Sequence, residues 1–406
     1  MNKGPLADIR ILELGHVIAG PLAATLLGDF GADIIKVEIP GTADMVRDLG
    51  PKSADGVGVW WKTLGRNKRL LALDWKTPQG RELLLELVRD IDVLVENFRP
   101  GVIERAGLSP EVLMAANPAL VVLRISGYGQ SGPFSSIPAF GRAAEALSGL
   151  PHLTGFPDGP PMHPGFPVAD TTTGLMGALA IMIALHEARA GSGRGQVIDL
   201  SVFETLLRLM DYPVPTVTGA RRSPARNGLR QPLDFAPGGV FQTRDGIWVT
   251  VTAGNTATAH NMLRAVGGRE MADDPRFSSL EGIAEHMQEV FERMKAFVES
   301  QDYAVVLQRF VDEGAVAARI HTIEEIIDHP QIRHRQNIVA VGDEPTKVVG
   351  PVPRLTRTPG SIRWLGKPEV GVDSLSVLRG IGIDEQRIAD LVRSGIVSSP
   401  ASMQRG

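Results

Sequence analysis

The sequence contains no cysteine, and this absence removes several kinds of chemistry at once. Disulfide bonds, thiolate nucleophiles and cysteine-ligated metals are all excluded. A strong excess of one charge is also lacking, because 42 Lys and Arg stand against 46 Asp and Glu, for a net charge of −4. This balance gives no electrostatic reason to expect a nucleic acid or an anionic membrane as a partner.

Long apolar runs are scarce as well. The longest, GLMGALAIMIALH, is well short of the roughly 20 residues that span a bilayer. The N-terminal segment MNKGPLADIRILELG carries charges where a signal peptide has an apolar core. The histidines show no metal-ligand spacing such as H-E-x-x-H. We therefore expect a soluble, cytoplasmic protein without a catalytic metal and without membrane contact.

The first half of the chain alternates short apolar strands with helices. DIRILEL (8–14) and DIIKVE (33–38) predict strands, and PLAATLLGDFGA between them predicts a helix with Pro21 at its first position. Strands are also predicted at LLALD, VLVEN and LVVLRIS, with helices at TPQGRELLLELVRD and PEVLMAAN. This alternation predicts an α/β fold with a mostly parallel sheet covered by helices on both faces.

In the second half of the chain the regular alternation of strands and helices stops. GVFQTRDGIWVTVTA predicts a β-hairpin that turns at Asp245-Gly246, and residues 283–312 have the pattern of an amphipathic helix. A polar, Gly/Pro-rich passage precedes the hairpin. We therefore predict a large α/β domain over 1–210, a smaller α+β domain over 225–325, and a return segment over 326–406 that completes the large domain.

Two segments are similar to known functional motifs but lack a required glycine. The turn after the first strand reads LGHVIAGP rather than G-x-G-x-x-G, so it does not allow the close backbone approach that a dinucleotide pyrophosphate needs. RISGYG resembles a nucleophile elbow, but Arg124 stands where the first glycine belongs. We predict neither a tightly bound nicotinamide or flavin cofactor nor a serine nucleophile.

Asp170, in the stretch GFPVADTTTG, has two interpretations. Asp is among the best N-cap residues, and a helix rich in Gly, Ala and Met follows it. A carboxylate at a helix N-terminus is also held ionised by the positive end of the dipole, where it can serve as a nucleophile. Both roles are compatible, because a cap would fix the geometry that attack requires.

Two loops carry clustered basic residues, GRNKRLLALD (65–74) and ENFRPGVIERAGLS (96–109). Ligands bind at the ends of strands in open α/β sheets, and a phosphate-rich ligand whose adenine stacks on Phe98 would suit these loops. The alternative is a solvated basic face and a structural turn. The basic residues concerned are Arg66, Lys68, Arg69, Arg99 and Arg105.

Four long segments, in order along the chain, resemble the family III CoA-transferases, also called the CaiB–BaiF family. They are ILELGHVIAGPLAATLLGDFGADIIKVE, NKRLLALDWKTPQGRELLLELVRDIDVLVENFRPGVIERAGL, ISGYGQSGP and GRGQVIDLSVFE, and the likeness is dense over residues 6–210. The family includes formyl-CoA transferase and α-methylacyl-CoA racemase. The resemblance implies a Rossmann-like large domain with a smaller domain, an interlocked homodimer, and an acyl-CoA and a carboxylic acid as substrates.

The resemblance also implies site residues. The family's nucleophilic aspartate matches Asp170, which would form a mixed anhydride with the donor acyl group and then an aspartyl-CoA thioester. Oxyanion donors in the smaller domain would match Gly238 and Gly239. Coenzyme A contacts are implied at Ile18, Ala19, Leu73, Lys76, Asn97, Phe98, Arg99, Arg105 and Phe140.

Some positions depart from the family pattern. Ile18 stands where formyl-CoA transferase has a glutamine, and Ile39 matches an arginine that contacts coenzyme A there. Phe140-Gly141 replaces a Tyr-Asp or His-Asp pair, and the four-glycine loop of the oxalate-using enzymes has no clear counterpart. These differences argue against oxalate or formate as the acyl group.

Two other functions stay open on the sequence. A racemase needs an acid–base group on each side of the α-carbon, and the histidine that the racemase branch uses is matched by Phe140, with His152 as a substitute. A CoA-binding protein without turnover is the second alternative. For a dicarboxylic substrate, Arg47, Arg142 or Arg208 could hold the distal carboxylate, the alternative for each being an internal or surface ion pair.

Overall fold

A computed structural model describes residues 4–230 and 236–400 of the chain. The chain divides into two compact units, the first formed by Met1–Leu150, Pro164–Tyr212 and Gln331–Gly406, the second by Pro151–His163 and Pro213–Pro330. The predicted small domain, 225–325, falls inside the second unit. That unit also takes residues 151–163, which the prediction left with the large domain.

The strands fall into three sheets. A seven-stranded sheet belongs to the first unit, a three-stranded sheet to the second, and a two-stranded ladder to the return segment. In chain order the strands are β1 (Arg10–Glu13), β2 (Asp33–Glu38), β3 (Lys68–Leu73), β4 (Val93–Glu96), β5 (Val121–Ser126), β6 (Val197–Ser201), β7 (Gly238–Gln242), β8 (Trp248–Thr252), β9 (Val316–Arg319), β10 (Ile338–Val339), β11 (Val348–Val349) and β12 (Val397–Ser398).

Helices fill most of the connections. They are α1 (Ala19–Gly28), α2 (Val59–Leu64), α3 (Pro78–Val88), α4 (Val102–Arg105), α5 (Pro110–Ala116), α6 (Gly141–Ser148), α7 (Leu150–Leu153), α8 (Val168–Ala190), α9 (Val202–Leu209), α10 (Pro213–Thr218), α11 (Thr256–Ala272), α12 (Leu280–Glu285), α13 (Met287–Ser300), α14 (Tyr303–Asp312), α15 (Ile323–Asp328), α16 (Pro330–His334), α17 (Ser374–Gly380) and α18 (Glu385–Arg393), with 3₁₀ turns at Met45–Arg47 and Pro275–Phe277.

The large sheet has the strand order β12-β3-β2-β1-β4-β5-β6. Strands β1 to β6 pair in parallel, and only β12 runs antiparallel, against β3. From β1 the chain first builds outward to β3 and then restarts on the other side with β4, so the order reverses between β1 and β4. In open α/β sheets that reversal creates a crevice at the carboxyl ends of the two strands, where ligands bind. The predicted mostly parallel sheet is confirmed.

Both faces of this sheet are buried. Neighbouring residues of one strand, such as Ile11 and Leu12, enter different apolar cores because successive side chains point to opposite faces. One core packs against α3, α5, α17 and α18, and the other against α1 and α8. This arrangement explains why the strands read as continuous apolar runs rather than as alternating patterns.

Helix α8 is longer than the apolar run that the sequence singles out. It has 23 residues and is long and apolar enough, by length and composition alone, to cross a membrane. It packs closely on α1, where Gly174 lies so near Leu22 that a Cβ would come within 2.8 Å of that side chain. Its other face leaves Leu175, Leu179 and Ile183 exposed. Helix α8 is thus a core helix of the first unit that leaves one apolar stripe exposed to solvent.

The return segment completes the large sheet from a distance in sequence. Asp373 and Ser374 at the start of α17 accept hydrogen bonds from the backbone N–H groups of Leu70 and Ala72, and β12 pairs with the outer side of β3. The second unit has its own core between the sheet β7-β8-β9 and the helices α11 to α14. The predicted hairpin is confirmed, whereas the single predicted helix over 283–312 is wrong, because it breaks at His286 and again at Gln301.

Candidate active site

A cavity of about 290 Å³ opens in the first unit where the strand order reverses. Its walls come from the loop after β1, the loop after β4, the end of β5 and the N-terminal ends of α1, α6, α8 and α9. The residues that line it are His16, Val17, Ile18, Ala19, Asn97, Phe98, Arg99, Ile125, Ser126, Gly127, Ala139, Phe140, Gly141, Asp170 and Val202. The position at the carboxyl ends of β1, β4 and β5 is the one that the fold favours for a ligand.

Asp170 lies in the wall of this cavity, in the first turn of α8. It is the third residue of the helix, and Pro167 occupies the N-cap position without a side-chain hydrogen bond. The capping interpretation of Asp170 is therefore wrong. Within the part of the chain that the structure describes, its carboxylate has no hydrogen-bond or ion-pair partner. It faces the cavity as an acceptor without a donor.

The carboxylate is pressed against the backbone of α6. A Cβ built on Gly141 would lie 2.6 Å from Asp170 Oδ2, so only glycine leaves room for this carboxylate position. Burial, and then the negative charge of Glu145 on α6, raise the pKa of Asp170 from 3.8 to about 6. The group is mostly ionised at neutral pH, yet it is more basic than an ordinary carboxylate.

The loop between β1 and α1 forms the opposite edge of the cavity. The side chain of Asn97, which follows β4, grips it from both sides, because His16 N donates to Asn97 Oδ1 at 2.7 Å and Asn97 Nδ2 donates to His16 O at 2.8 Å. Asn97 thus ties together the two loops that meet at the strand-order reversal.

Aromatic rings pack together beneath this edge, and Trp75 among them is buried. Phe98 lies between the rings of His16 and Trp75, with centroid distances of 5.3 and 5.6 Å, and the Lys76 ammonium lies 5.7 Å from the centre of the Trp75 ring. Burial and the positive charge of Lys36 lower the pKa of His16, so its imidazole is neutral at neutral pH. Arg99 is exposed beside Phe98. Phe98 and Arg99, which both line the cavity, suit a ligand with a flat ring and an anionic end.

Most of the site residues implied by the resemblance meet in this cavity. They are Ile18, Ala19, Asn97, Phe98, Arg99, Phe140 and Asp170. Phe140 lies at the mouth and is 78% exposed. Three others do not line the cavity. Leu73 is wholly buried, whereas Lys76 is exposed in the turn after β3 and Arg105 is exposed at the end of α4.

The basic run before β3 does not face a ligand. Arg66 forms a two-pronged pair with Asp29, and Arg69 does the same with Asp33. Lys68 is fully buried beside Glu13, at 2.6 Å. These residues lie at the amino end of β3, opposite the edge where the cavity opens. The phosphate-binding interpretation is wrong for these three residues.

The arginines considered for a distal carboxylate already have acidic partners. Arg47 is buried over the Trp61 ring and binds both carboxylate oxygens of Glu38. Arg142 pairs with Glu145 at 3.1 Å, and Arg208 pairs with Asp211 at 2.9 Å. The ion-pair alternative is therefore the correct one in each case.

The sequence analysis missed several lining residues. His16, Ser126, Gly127 and Gly141 line the cavity, but the sequence analysis gave none of them a role in the site. The available signal was position, because Gly127 lies one residue after β5 and His16 three residues after β1, and the ends of these strands meet at one edge. The two candidates His152 and Gly238-Gly239 belong to the second unit and are not among the lining residues.

Comparisons with known proteins agree with this geometry. The sequence model of CoA-transferase family III matches residues 6–374. Succinyl-CoA–D-citramalate CoA-transferase of Chloroflexus aurantiacus is 38% identical over 400 residues, which cover 97% of this chain and 98% of that protein. The beta subunit of succinyl-CoA–L-malate CoA-transferase from the same organism is 38% identical over 393 residues, covering 95% and 96%. Among solved structures, a CaiB/BaiF family protein from Brucella suis matches with a TM-score of 0.81 at 27% identity, covering 94% of this chain and 100% of that one.

Proposed function

The chain belongs to CoA-transferase family III, and on that premise we propose that Asp170 is the nucleophile that carries coenzyme A from an acyl-CoA to a carboxylic acid. The observation that supports this most is its carboxylate in the cavity wall, without a hydrogen-bond donor in the described residues and held more basic than usual. A carboxylate becomes a better nucleophile when nothing masks its lone pairs and its pKa rises.

The proposed reaction consists of four acyl exchanges, with no net gain or loss of water, protons or electrons. Asp170 Oδ attacks the donor thioester carbonyl, the C–S bond breaks, and coenzyme A leaves as a thiolate beside a mixed anhydride. The thiolate then attacks the aspartyl carbonyl and expels the donor acid as its carboxylate. The acceptor carboxylate attacks the resulting aspartyl-CoA thioester, which forms a second mixed anhydride and releases the coenzyme A thiolate again. This thiolate then attacks the acceptor carbonyl of the anhydride and forms the product acyl-CoA. Asp170 is regenerated as a carboxylate.

The raised pKa of Asp170 still leaves its carboxylate ready for nucleophilic attack at neutral pH. With a pKa of about 6, roughly nine-tenths of the Asp170 side chain is ionised at pH 7, so most molecules are ready to attack. Ile18, the N-cap of α1, and Ala19, its first residue, line the same cavity. The positive end of that helix stabilises the negative charge that develops on the tetrahedral intermediates.

We propose succinyl-CoA as the donor and a dicarboxylic acid as the acceptor. Two relatives that match nearly the whole chain are named for succinyl-CoA with D-citramalate and with L-malate. The departures at Ile18 and Phe140-Gly141 leave the small acyl groups of oxalate and formate less suited to this site. Arg47, Arg142 and Arg208 already have acidic partners, so the distal carboxylate must find another donor.

We also propose that the protein works as a homodimer. Leu175, Leu179 and Ile183 recur every four residues and form one apolar stripe on α8, with 54–61% of each side chain exposed. Such a stripe on a soluble protein marks a contact surface. Sedimentation of the native protein and of Leu179→Glu tests this. A native dimer that the variant dissociates supports the proposal, and a native monomer refutes it.

The nucleophile is tested by trapping it. The protein is mixed with succinyl-CoA and no acceptor, and its intact mass and peptide masses are measured before and after hydroxylamine. We expect a coenzyme A adduct on the Asp170 peptide that hydroxylamine releases, and no adduct with Asp170→Asn. Addition of D-citramalate, malate or glutarate then reveals which acceptor removes the adduct.

Three results would contradict the proposal. An adduct that persists in Asp170→Asn would place the nucleophile elsewhere. Uptake of deuterium at the α-carbon of an acyl-CoA from heavy water, without any adduct, would make Asp170 an acid–base group of a racemase. Binding of coenzyme A without either activity would leave a binding protein.

A further inference from the structure

The loop that forms one edge of the cavity contains a strained residue. Val17 has a φ of +65°, in the left-handed region that glycine favours. A β-branched side chain there is a true outlier, and such a strained conformation persists only where its surroundings impose it. Val17 and its neighbours His16 and Ile18 all line the cavity, so the strain lies at the candidate active site itself.

Three side chains impose this conformation by holding consecutive backbone groups. Gly15 O accepts a hydrogen bond from Lys36 Nζ. The backbone N–H and C=O of His16 both bind the side-chain amide of Asn97. Val17 N then donates to the Asp44 carboxylate, at 3.0 and 3.2 Å from its two oxygens. Asp44 thus binds the backbone N–H of Val17, the strained residue itself.

Asp44 is itself fixed within a buried group of charges. Its side chain is wholly buried and lies 3.0 Å from Lys36 Nζ, which in turn lies 3.0 Å from Glu13. Its Oδ1 also accepts from Val46 N at 3.1 Å, and its own backbone N donates to Glu38. Burial opposes ionisation, but the attraction of Lys36 prevails and lowers the pKa of Asp44 to about 2. A charged acceptor this constrained can maintain a strained backbone.

We propose that Asp44, anchored by Lys36, is a positioning residue that locks Val17 in the left-handed conformation and thereby sets the cavity edge, His16 to Ile18, against Asp170. Asp44 is not among the residues that line the cavity, so it acts through Val17 rather than by contact with substrate. The proposal rests on the proposed function for its kinetic consequence. Its structural content, the control of the loop by one carboxylate, stands independently of the reaction.

A double-mutant cycle tests the proposal. Asp44→Asn keeps an oxygen that can accept from Val17 N but removes the charge that strengthens this bond and holds Lys36. We expect kcat/KM for coenzyme A transfer to fall at least tenfold. In a Val17→Gly background the same change should lower kcat/KM less than threefold, because glycine adopts a positive φ without strain. A purely structural role for Asp44 would produce the same loss in both backgrounds, which would overturn the proposal.

The matched control is Asp48→Asn, four residues further along the same segment. Asp48 is 85% exposed, and among the salt bridges found in the described residues it pairs only with Lys52. The kcat/KM of the Asp48→Asn variant should therefore equal that of the parent protein. A loss as large as that of Asp44→Asn would point to the charge of the segment rather than to Val17.

A measurement on the unaltered protein separates this proposal from the proposed function. Hydrogen exchange, followed residue by residue by mass spectrometry, should show the Val17 amide strongly protected. Exchange at the rate of an open loop would overturn the positioning role even if transfer activity is found or if Asp44→Asn fails to fold. Protection of Val17 in a protein that lacks transfer activity would instead refute the proposed function and leave the loop assignment intact.

Discussion

Replacing Asp170 by asparagine should make the protein more stable while removing its activity. The pKa of Asp170 rises from 3.8 to about 6 on folding because the carboxyl is buried near Glu145. Since the folded state then binds the proton more tightly than the unfolded chain, the stabilising contribution is complete below about pH 4 and is lost as the pH rises through 6. At pH 8 the ionised carboxylate lowers the free energy of unfolding by about 3 kcal/mol relative to a neutral group of the same shape.

Asparagine avoids this penalty but gives up one favourable interaction. The ionised side chain lies in the first turn of α8, where attraction to the helix dipole is worth up to about 1 kcal/mol. The net gain for Asp170→Asn at pH 8 is therefore about 2 kcal/mol. An unfolding entropy of about 2 cal/mol/K per residue gives about 0.8 kcal/mol/K for a chain of this length, which converts the gain into a rise of about 2 °C in Tm.

Calorimetry or thermal circular dichroism of both proteins at pH 4 and pH 8 measures this. The variant should melt higher at pH 8 and level with the parent at pH 4, where Asp170 is already neutral. A variant that is less stable at pH 8, or a difference that does not change between the two pH values, would refute the assignment of Asp170 as a buried carboxylate under electrostatic stress.

Three further changes test other parts of the site. Glu145→Gln should lower the pKa of Asp170 and move the acid limb of the kcat/KM profile to lower pH; a limb that stays in place would show that burial alone raises this pKa. Gly141→Ala places a methyl group within 2.6 Å of the Asp170 carboxylate and should reduce the rate of adduct formation at least tenfold, a result contradicted by adduct formation at the original rate. Arg105→Ala should weaken coenzyme A binding by calorimetry, and an unchanged dissociation constant would remove this residue from the proposed binding surface.

Local signals in the sequence predicted much of the large sheet. Strand β2 has the predicted bounds, and α3 lies within the predicted segment TPQGRELLLELVRD, with Thr77 as its N-cap and Pro78 as its first residue. The start of α1 was placed two residues late, because Pro21 proved to be the third residue of that helix rather than the first. Proline is tolerated anywhere in the first turn, since its missing N–H has no intrahelical partner there.

Local signals could not assemble the site. Gly141 and Asp170 are separated by 28 intervening residues, and their contact depends on how α6 and α8 pack rather than on either segment alone. The basic run at Arg66 was misassigned for a simpler reason: it precedes its strand, so the direction of the chain already places it at the amino edge of the parallel sheet, away from the ligand crevice. Its partner Asp29 follows a different helix, and no pattern around Arg66 announces it.

The antiparallel strand β12 has a consequence for the synthesis of the protein. Strand β3 is made early in translation, but its outer partner follows about 320 residues later, which at 5–20 residues per second means roughly 16–65 seconds of waiting on the ribosome. During that interval the backbone of β3 is an open template for pairing with other nascent chains. A fragment that ends before Val397 leaves Ala72 and Leu73 without their antiparallel partners in β12. Residues 397 and 398 therefore protect the outer edge of the large sheet against pairing with other chains.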